Sequence, residues 1–281
     1  FLLCIFNSKS LLHDPVDNRD YNFSKLSVIV PEVVKMASDV PSFIDHSEKM
    51  SPVKYQGSMG SCTAFAVCAM KEWQEQIEYE KEIKEGSKYR REEENYNFSE
   101  QWLYWNCKKI DPWPNEQGTN FRSAMKVLRS IGVPNEEAWP YRDDPINIGK
   151  PESWAHLIAK WSKINSYWRI NTLQELKGAL ISGPVVIGIP CFEEMFYPKK
   201  DGYICMPLNP ENMYGYHAVC AVGYDDSNYR IKFKNSWSVF WGDKGYGYIS
   251  YEYIKKYMTD AWTAKDIDVT SEMLKGTSKL I

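Results

Sequence analysis

Histidine is scarce in this sequence. There are four in 281 residues, so imidazole chemistry has only four addresses: His13, His46, His156 and His217. No two cysteines stand in C-x-x-C spacing, which removes the common zinc and dithiol signatures, and no metal or organic cofactor is expected. No window approaches the ~20 apolar residues of a membrane-spanning helix, so no membrane partner is expected. An excess of basic charge is missing too. The 34 basic and 37 acidic residues leave a net charge of −3, and nucleic acid is not an expected partner. The basic run Lys88–Arg91 is followed at once by Glu92–Glu94, the pattern of a solvated face.

The cysteines are odd in number, seven in all: Cys4, Cys62, Cys68, Cys107, Cys191, Cys205 and Cys220. At least one is therefore outside any intramolecular bridge. Cys68 and Cys220 sit in apolar runs and read as packing residues. Cys191 and Cys205 could bridge a loop. The usage fits a reducing compartment slightly better than a secreted scaffold. Phe1–Phe6 is apolar but brief and starts without Met; a trimmed signal and a cut end both fit it.

What the chain does hold is Gln56–Phe65, a glycine-rich loop leading into small and apolar residues on all sides. A helix apolar all round belongs in a core. Cys62 falls at its start, where unpaired N–H groups and the positive dipole end gather. That placement predicts a lowered thiol pKa. The bland alternative is a small buried hydrophobe.

Length allows about two domains. The reading is an extension over 1–39, a mainly helical lobe over 40–163, a β-rich lobe over 164–265 and a tail over 266–281. The first helix runs from Cys62 to about Tyr79, and Lys81–Asn97 reads as a surface excursion. A second helix is capped by Ser99, and a third opens at Asn120 and ends near Gly132. Thr172 and Glu175 form a capping box for a helix that stops at Gly183. Strand-like runs follow at 185–189, 217–224, 229–234 and 246–251, as in an antiparallel sheet or barrel. A site between the lobes is expected.

His13 and His46 lie in irregular polar stretches, and His156 reads as a helix-surface residue. His217 opens the apolar strand Ala218–Val222, and Asn235 lies just beyond the next strand with Trp237 and Trp241. This is a complete nucleophilic set. His217 would take the Cys62 proton, and Asn235 would fix the ring. The two indoles would shield that bond, while Gln56 and the Cys62 N–H would face an oxyanion.

These residues stand in three motifs, Gln56-Gly-x-x-Gly-Ser-Cys62, His217-Ala-Val-x-Ala-Val-Gly-Tyr224 and Lys234-Asn-Ser-Trp-x-x-x-Trp-Gly-x-x-Gly-Tyr246. Together they resemble the papain (cathepsin-like) family of cysteine peptidases from about Pro41 to Trp262, with a flavour of bacterial and viral branches. The resemblance implies an α+β, papain-like two-lobed fold and a monomeric thiol endopeptidase that takes peptide or protein substrates. It implies that Gly60, Gly118, Phe121, Gly188, Gly215, Ala218 and Trp241 bind substrate, with an apolar pocket for the residue two before the scissile bond. The family usually has a bridged cysteine where Met59 and Glu116 stand, so that disulfide is missing at both ends, and Cys107 lacks its family partner. Residues 1–39 are expected to lie across or beside the cleft, or to drape the surface. Transfer of the acyl group to an amine, and a non-catalytic peptide-binding role, are the alternatives.

Overall fold

The structure, a computed structural model, describes residues 11–24, 41–85 and 96–266. A short strand, β1 (Phe43–Asp45), precedes the central helix α1 (Cys62–Lys84). Every residue from Cys62 to Trp73 is buried, as its all-round apolar composition requires. The helix runs five residues past Tyr79, and its one deeply buried cation, Lys71, is neutralised by Glu75 and Asp266.

Helices α2 (Glu100–Lys108) and α3 (Phe121–Ser130) pack on α1. Both start where an N-cap residue was expected. The Ser99 hydroxyl accepts the Trp102 N–H at 3.0 Å, and the Asn120 side chain accepts the Ser123 N–H at 2.7 Å. Each cap satisfies an otherwise orphaned donor. A short helix, α4 (Ala155–Ala159), closes this half; His156 lies on its exposed side, edge-on to Trp102 at 4.6 Å.

The second half comprises β2 (Ile164–Arg169), α5 (Leu173–Ser182), β3 (Val185–Cys191), α6 (Glu193–Phe196) and β4 (Tyr203–Ile204). It continues with β5 (Gly215–Asp225), β6 (Arg230–Lys234), β7 (Tyr246–Ser250), α7 (Tyr251–Tyr257) and β8 (Asp260–Asp266). The strands form one sheet in the order β2-β8-β3-β5-β6-β7-β4, with β1 added on β5. Every pairing is antiparallel except β4 with β7.

Strands β3 and β5 explain how two lobes share one sheet. Val186, Ala218, Cys220 and Val222 join the helical core. Their alternating neighbours Val185, Ile187, Ile189, Val219 and Ala221 join a second core with α5 and α7. Side chains of a strand point alternately to opposite faces, so a strand covered on both sides reads as a continuous apolar run. Ile164, Trp262 and Ala264 also enter the helical core, so strands beyond the 163/164 boundary pack on the helical half as well.

Cys191 and Cys205, which the sequence allows to bridge a loop, are both free. Cys191 ends β3, whereas Cys205 follows β4, which lies beyond β5, β6 and β7 in the sheet order. Cys68, Cys107 and Cys220 are free and buried. Among the described residues, no helix is long and apolar enough to cross a membrane.

Candidate active site

The loop before α1 sets the position of Cys62. Gly57 takes a left-handed φ of +67°, which glycine adopts without a Cβ penalty. Cys62 is the first residue of α1 and faces β5, where the Ala218 main-chain N–H donates to its Sγ at 3.3 Å. The sulfur makes no hydrogen bond to the imidazole itself, although its donor is the residue next to His217.

The register of β3 on β5 places Ile189 opposite His217 and Gly188 opposite Ala218. His217 Nε2 lies 2.7 Å from Asn235 Oδ1. The Ser236 N–H also donates to that oxygen, at 2.8 Å, which fixes the amide with its oxygen toward the ring. Nε2 is then the N–H donor and Nδ1 is left unprotonated. Trp237 stacks on the imidazole at 4.6 Å and covers the bond. Trp241 sits one layer further out, edge-on to Trp237 at 5.7 Å and tied to the Met195 carbonyl at 3.0 Å. It buttresses the shield. Gln56 Oε1 accepts the Ser236 hydroxyl at 2.6 Å, and Nε2 donates to the Met59 carbonyl at 3.0 Å. An amide nitrogen has two N–H groups, so one stays available to the cleft.

The expected low thiol pKa is not met in this state. Burial pushes the Cys62 thiol up to about 12, with the Ala218 N–H opposing it only in part. Burial likewise lowers His217 to about 4 against the opposing bond to Asn235. Cys62 is fully buried and His217 nearly so; desolvation favours the neutral form of both, and outweighs the helix terminus. Burial thus favours the thiol and the neutral imidazole in the covered state.

The chain's own N-terminal segment joins the two walls beside His217. The Leu11 N–H donates to the Tyr216 carbonyl at 3.1 Å, and the Leu12 N–H to the Thr119 carbonyl at 2.9 Å. Leu11 is buried in one cluster with Met59, Phe121 and Ala218. A methyl group on Gly188 would collide with the Leu11 side chain and with the Thr259 hydroxyl. Leu11 thus lies against Gly188, which stands opposite Ala218 in the sheet, and Phe121 is buried in the same core. The strap's own main-chain partner on the helical wall is Thr119, next to Gly118; Gly60 packs against the Gly118 backbone. Gly215 lies apart from the recess, lining the cleft with Gln56, Cys191, Tyr214 and His217.

A buried charge cluster anchors this strap. Asp14 accepts the Arg122 main-chain N–H at 2.9 Å and pairs with its guanidinium at 3.3 Å. Asp20 pairs with Arg122 at 2.6 Å and Arg169 at 3.2 Å, and Arg169 also reaches Asp260 at 3.2 Å. Both guanidiniums lie over the Trp262 ring, at 5.7 and 5.5 Å. The Asp260 and Asp14 carboxyls face each other and share a hydrogen bond, and burial raises both pKa values. Two carboxyls so placed disfavour ionising together. Sequence reasoning missed this cluster because its members stand on four separate segments with no common spacing.

The papain family cysteine protease model matches residues 40–263. An uncharacterized peptidase C1-like protein of Acanthamoeba polyphaga mimivirus is 28% identical over 87% of this chain and 79% of its own length. Cathepsin K of Gallus gallus is 33% identical over 75% of this chain, which spans 59% of that longer protein. Among solved structures, xylellain, a cysteine protease from Xylella fastidiosa, superposes with a TM-score of 0.76 at 28% identity, covering 92% of this chain and 97% of that one.

Proposed function

The chain belongs to the papain family of cysteine proteases, and from that premise we propose that it hydrolyses peptide bonds through an acyl-enzyme on Cys62. The observation that carries the reading is the convergence of three separate segments: Cys62 on the Ala218 amide, and His217 on Asn235. With the strap withdrawn, water reaches the site and the burial penalty on charge falls. The α1 N-terminus and a nearby imidazole then favour a thiolate–imidazolium pair.

The thiolate attacks the scissile carbonyl carbon, and the developing oxyanion takes the free Gln56 N–H and the Cys62 main-chain N–H. The His217 imidazolium gives its proton to the leaving amine. The neutral ring then takes a proton from water as that water attacks the thioester, releasing the acid and regenerating the thiolate–imidazolium pair. Asn235 holds the ring in the tautomer that both steps use.

Leu11 supports an apolar pocket for the side chain two residues before the scissile bond. In this reading the strap occupies space a substrate needs, so the covered chain is latent. The test is peptide turnover by the full chain and by Leu11→Ala, with Cys62→Ser as the blank. The reading expects turnover that rises in Leu11→Ala and vanishes in Cys62→Ser; equal turnover with and without the thiol would overturn it.

A further inference from the structure

The loop that carries Gln56 has no covalent tether, because Met59 and Glu116 stand where the resemblance places a disulfide. It is held by one carboxylate instead. Asp143 Oδ1 accepts the Ser58 N–H at 2.8 Å, the Ser58 hydroxyl at 3.0 Å and the Met59 N–H at 3.1 Å. The other side of the same carboxylate lies against Gly57, where a methyl group would overlap it. Two residues earlier, the Tyr141 hydroxyl donates to the Gln56 carbonyl at 2.6 Å and meets the Ser61 hydroxyl at 2.7 Å. Residues 141–143 therefore grip the loop at Gln56, Ser58, Met59 and Ser61.

This grip reaches the oxyanion donors in a short relay. The Met59 carbonyl accepts both the Gln56 side-chain N–H at 3.0 Å and the Ser61 main-chain N–H at 2.8 Å. Met59 thus orients the Gln56 amide on one side and the first turn of α1 on the other. Fixing the Met59 N–H holds the Ser58–Met59 peptide, which meets the peptide bearing this carbonyl at the Met59 Cα. Three donors converge on one carboxylate oxygen, and bonds to a carboxylate are stronger than those between neutral groups.

We infer that Asp143 is a positioning residue for the oxyanion site, standing in for the absent disulfide by clamping the Gln56–Ser61 loop. It touches no substrate. It acts by keeping the free Gln56 N–H and the Cys62 N–H aimed at one point, so its removal loosens the transition state more than the ground state. The inference rests on the hydrolytic reading above.

The experiment uses the full chain in a Leu11→Ala background, so that strap opening is common to every arm. Asp143→Ala and Asp143→Asn are compared for kcat and KM on a peptide amide, and for affinity toward a peptide aldehyde, whose adduct on Cys62 carries the oxyanion. Hydrogen exchange of residues 57–60 is followed in the same proteins. A loop misplaced by about 1 Å lowers rates by up to about 100-fold, so Asp143→Ala is expected to lose about 10- to 100-fold in kcat. KM and Tm should hold nearly constant, aldehyde affinity should fall in parallel, and loop exchange should quicken. Asp143→Asn, whose amide oxygen still accepts, is expected to recover most of each loss. A wild-type rate in Asp143→Ala, a loss confined to KM or Tm, or equal damage in Asp143→Asn would each overturn the clamp. A background protein that binds the aldehyde without turning over peptide would sink the hydrolytic reading alone, leaving the clamp to be judged on affinity and exchange.

Discussion

The Leu11 N–H donates to the carbonyl of Tyr216, the residue immediately before His217, at 3.1 Å. Its side chain fills the recess at Gly188. The strap and the candidate general base are thus joined through one peptide unit. Leu11→Ala should open the cleft and raise Cys62 alkylation by iodoacetamide severalfold, since truncating a buried leucine costs about 2–5 kcal/mol. Alkylation rates unchanged from wild type would show that the strap does not cover the thiol.

Strap opening should depend on pH through Asp14 and Asp260. His13, Asp20, Arg122 and Arg169 are the other charged or titratable groups facing this pair. In the closed state, burial raises both carboxyls, while an opened Asp14 returns to about 3.9. The closed state therefore keeps one proton more than the open state above that value. Its stabilisation is complete below the ordinary carboxylate pKa and is lost as pH rises through the raised one. The opening constant of residues 11–24, read from hydrogen exchange corrected for intrinsic rate, should climb about tenfold per pH unit within that window. Asp14→Asn, a neutral partner for Asp260, should flatten the climb. An equal slope in Asp14→Asn would assign the pH dependence elsewhere.

Asn235→Ala removes the acceptor that orients His217 and should lower kcat about 100-fold, the scale for a misplaced reacting group. Asn235→Gln should recover little, because the longer side chain cannot also keep the 2.8 Å bond from the Ser236 N–H. Full activity in Asn235→Ala would mean that Trp237 stacking alone sets the ring.

Away from the cleft, Lys54 is the cation of a buried network. It pairs with Glu72 at 2.8 Å and Glu100 at 2.5 Å. Burial opposes its charge, yet Glu100 and Glu72 raise its pKa above the ordinary lysine value. Lys54→Met leaves two carboxylates buried without their cation and should cost about 3–5 kcal/mol in denaturant unfolding. A loss under ~1 kcal/mol would place that network on the solvent side of the ledger.

Much of this was legible in the sequence where local chemistry decides the outcome. The capping residues Ser99, Asn120 and Thr172 mark helix starts that the structure keeps, because an N-cap is set within four residues. The apolar runs of β3 and β5 also announce themselves. Strands β1, β2 and β8 did not, since Asp260–Asp266 carries three charges in seven residues and is extended only because β2 and β3 pair with it. Cys62, His217, Asn235 and Gln56 were legible through motifs. The thiol's environment was not, because the core that buries Cys62 also takes in Leu11, 51 positions earlier and outside every motif. Asp143 was hidden for a similar reason, acting across 85 positions on Ser58.

The central claim is that one of the seven thiols in this chain is the nucleophile. A peptide epoxide offered to the Leu11→Ala chain, followed by peptide mapping, tests it most directly. The account predicts a single adduct on Cys62, formed far more slowly when His217 is replaced by alanine. An adduct on Cys191, which lines the same cleft, or labelling indifferent to His217, would contradict it.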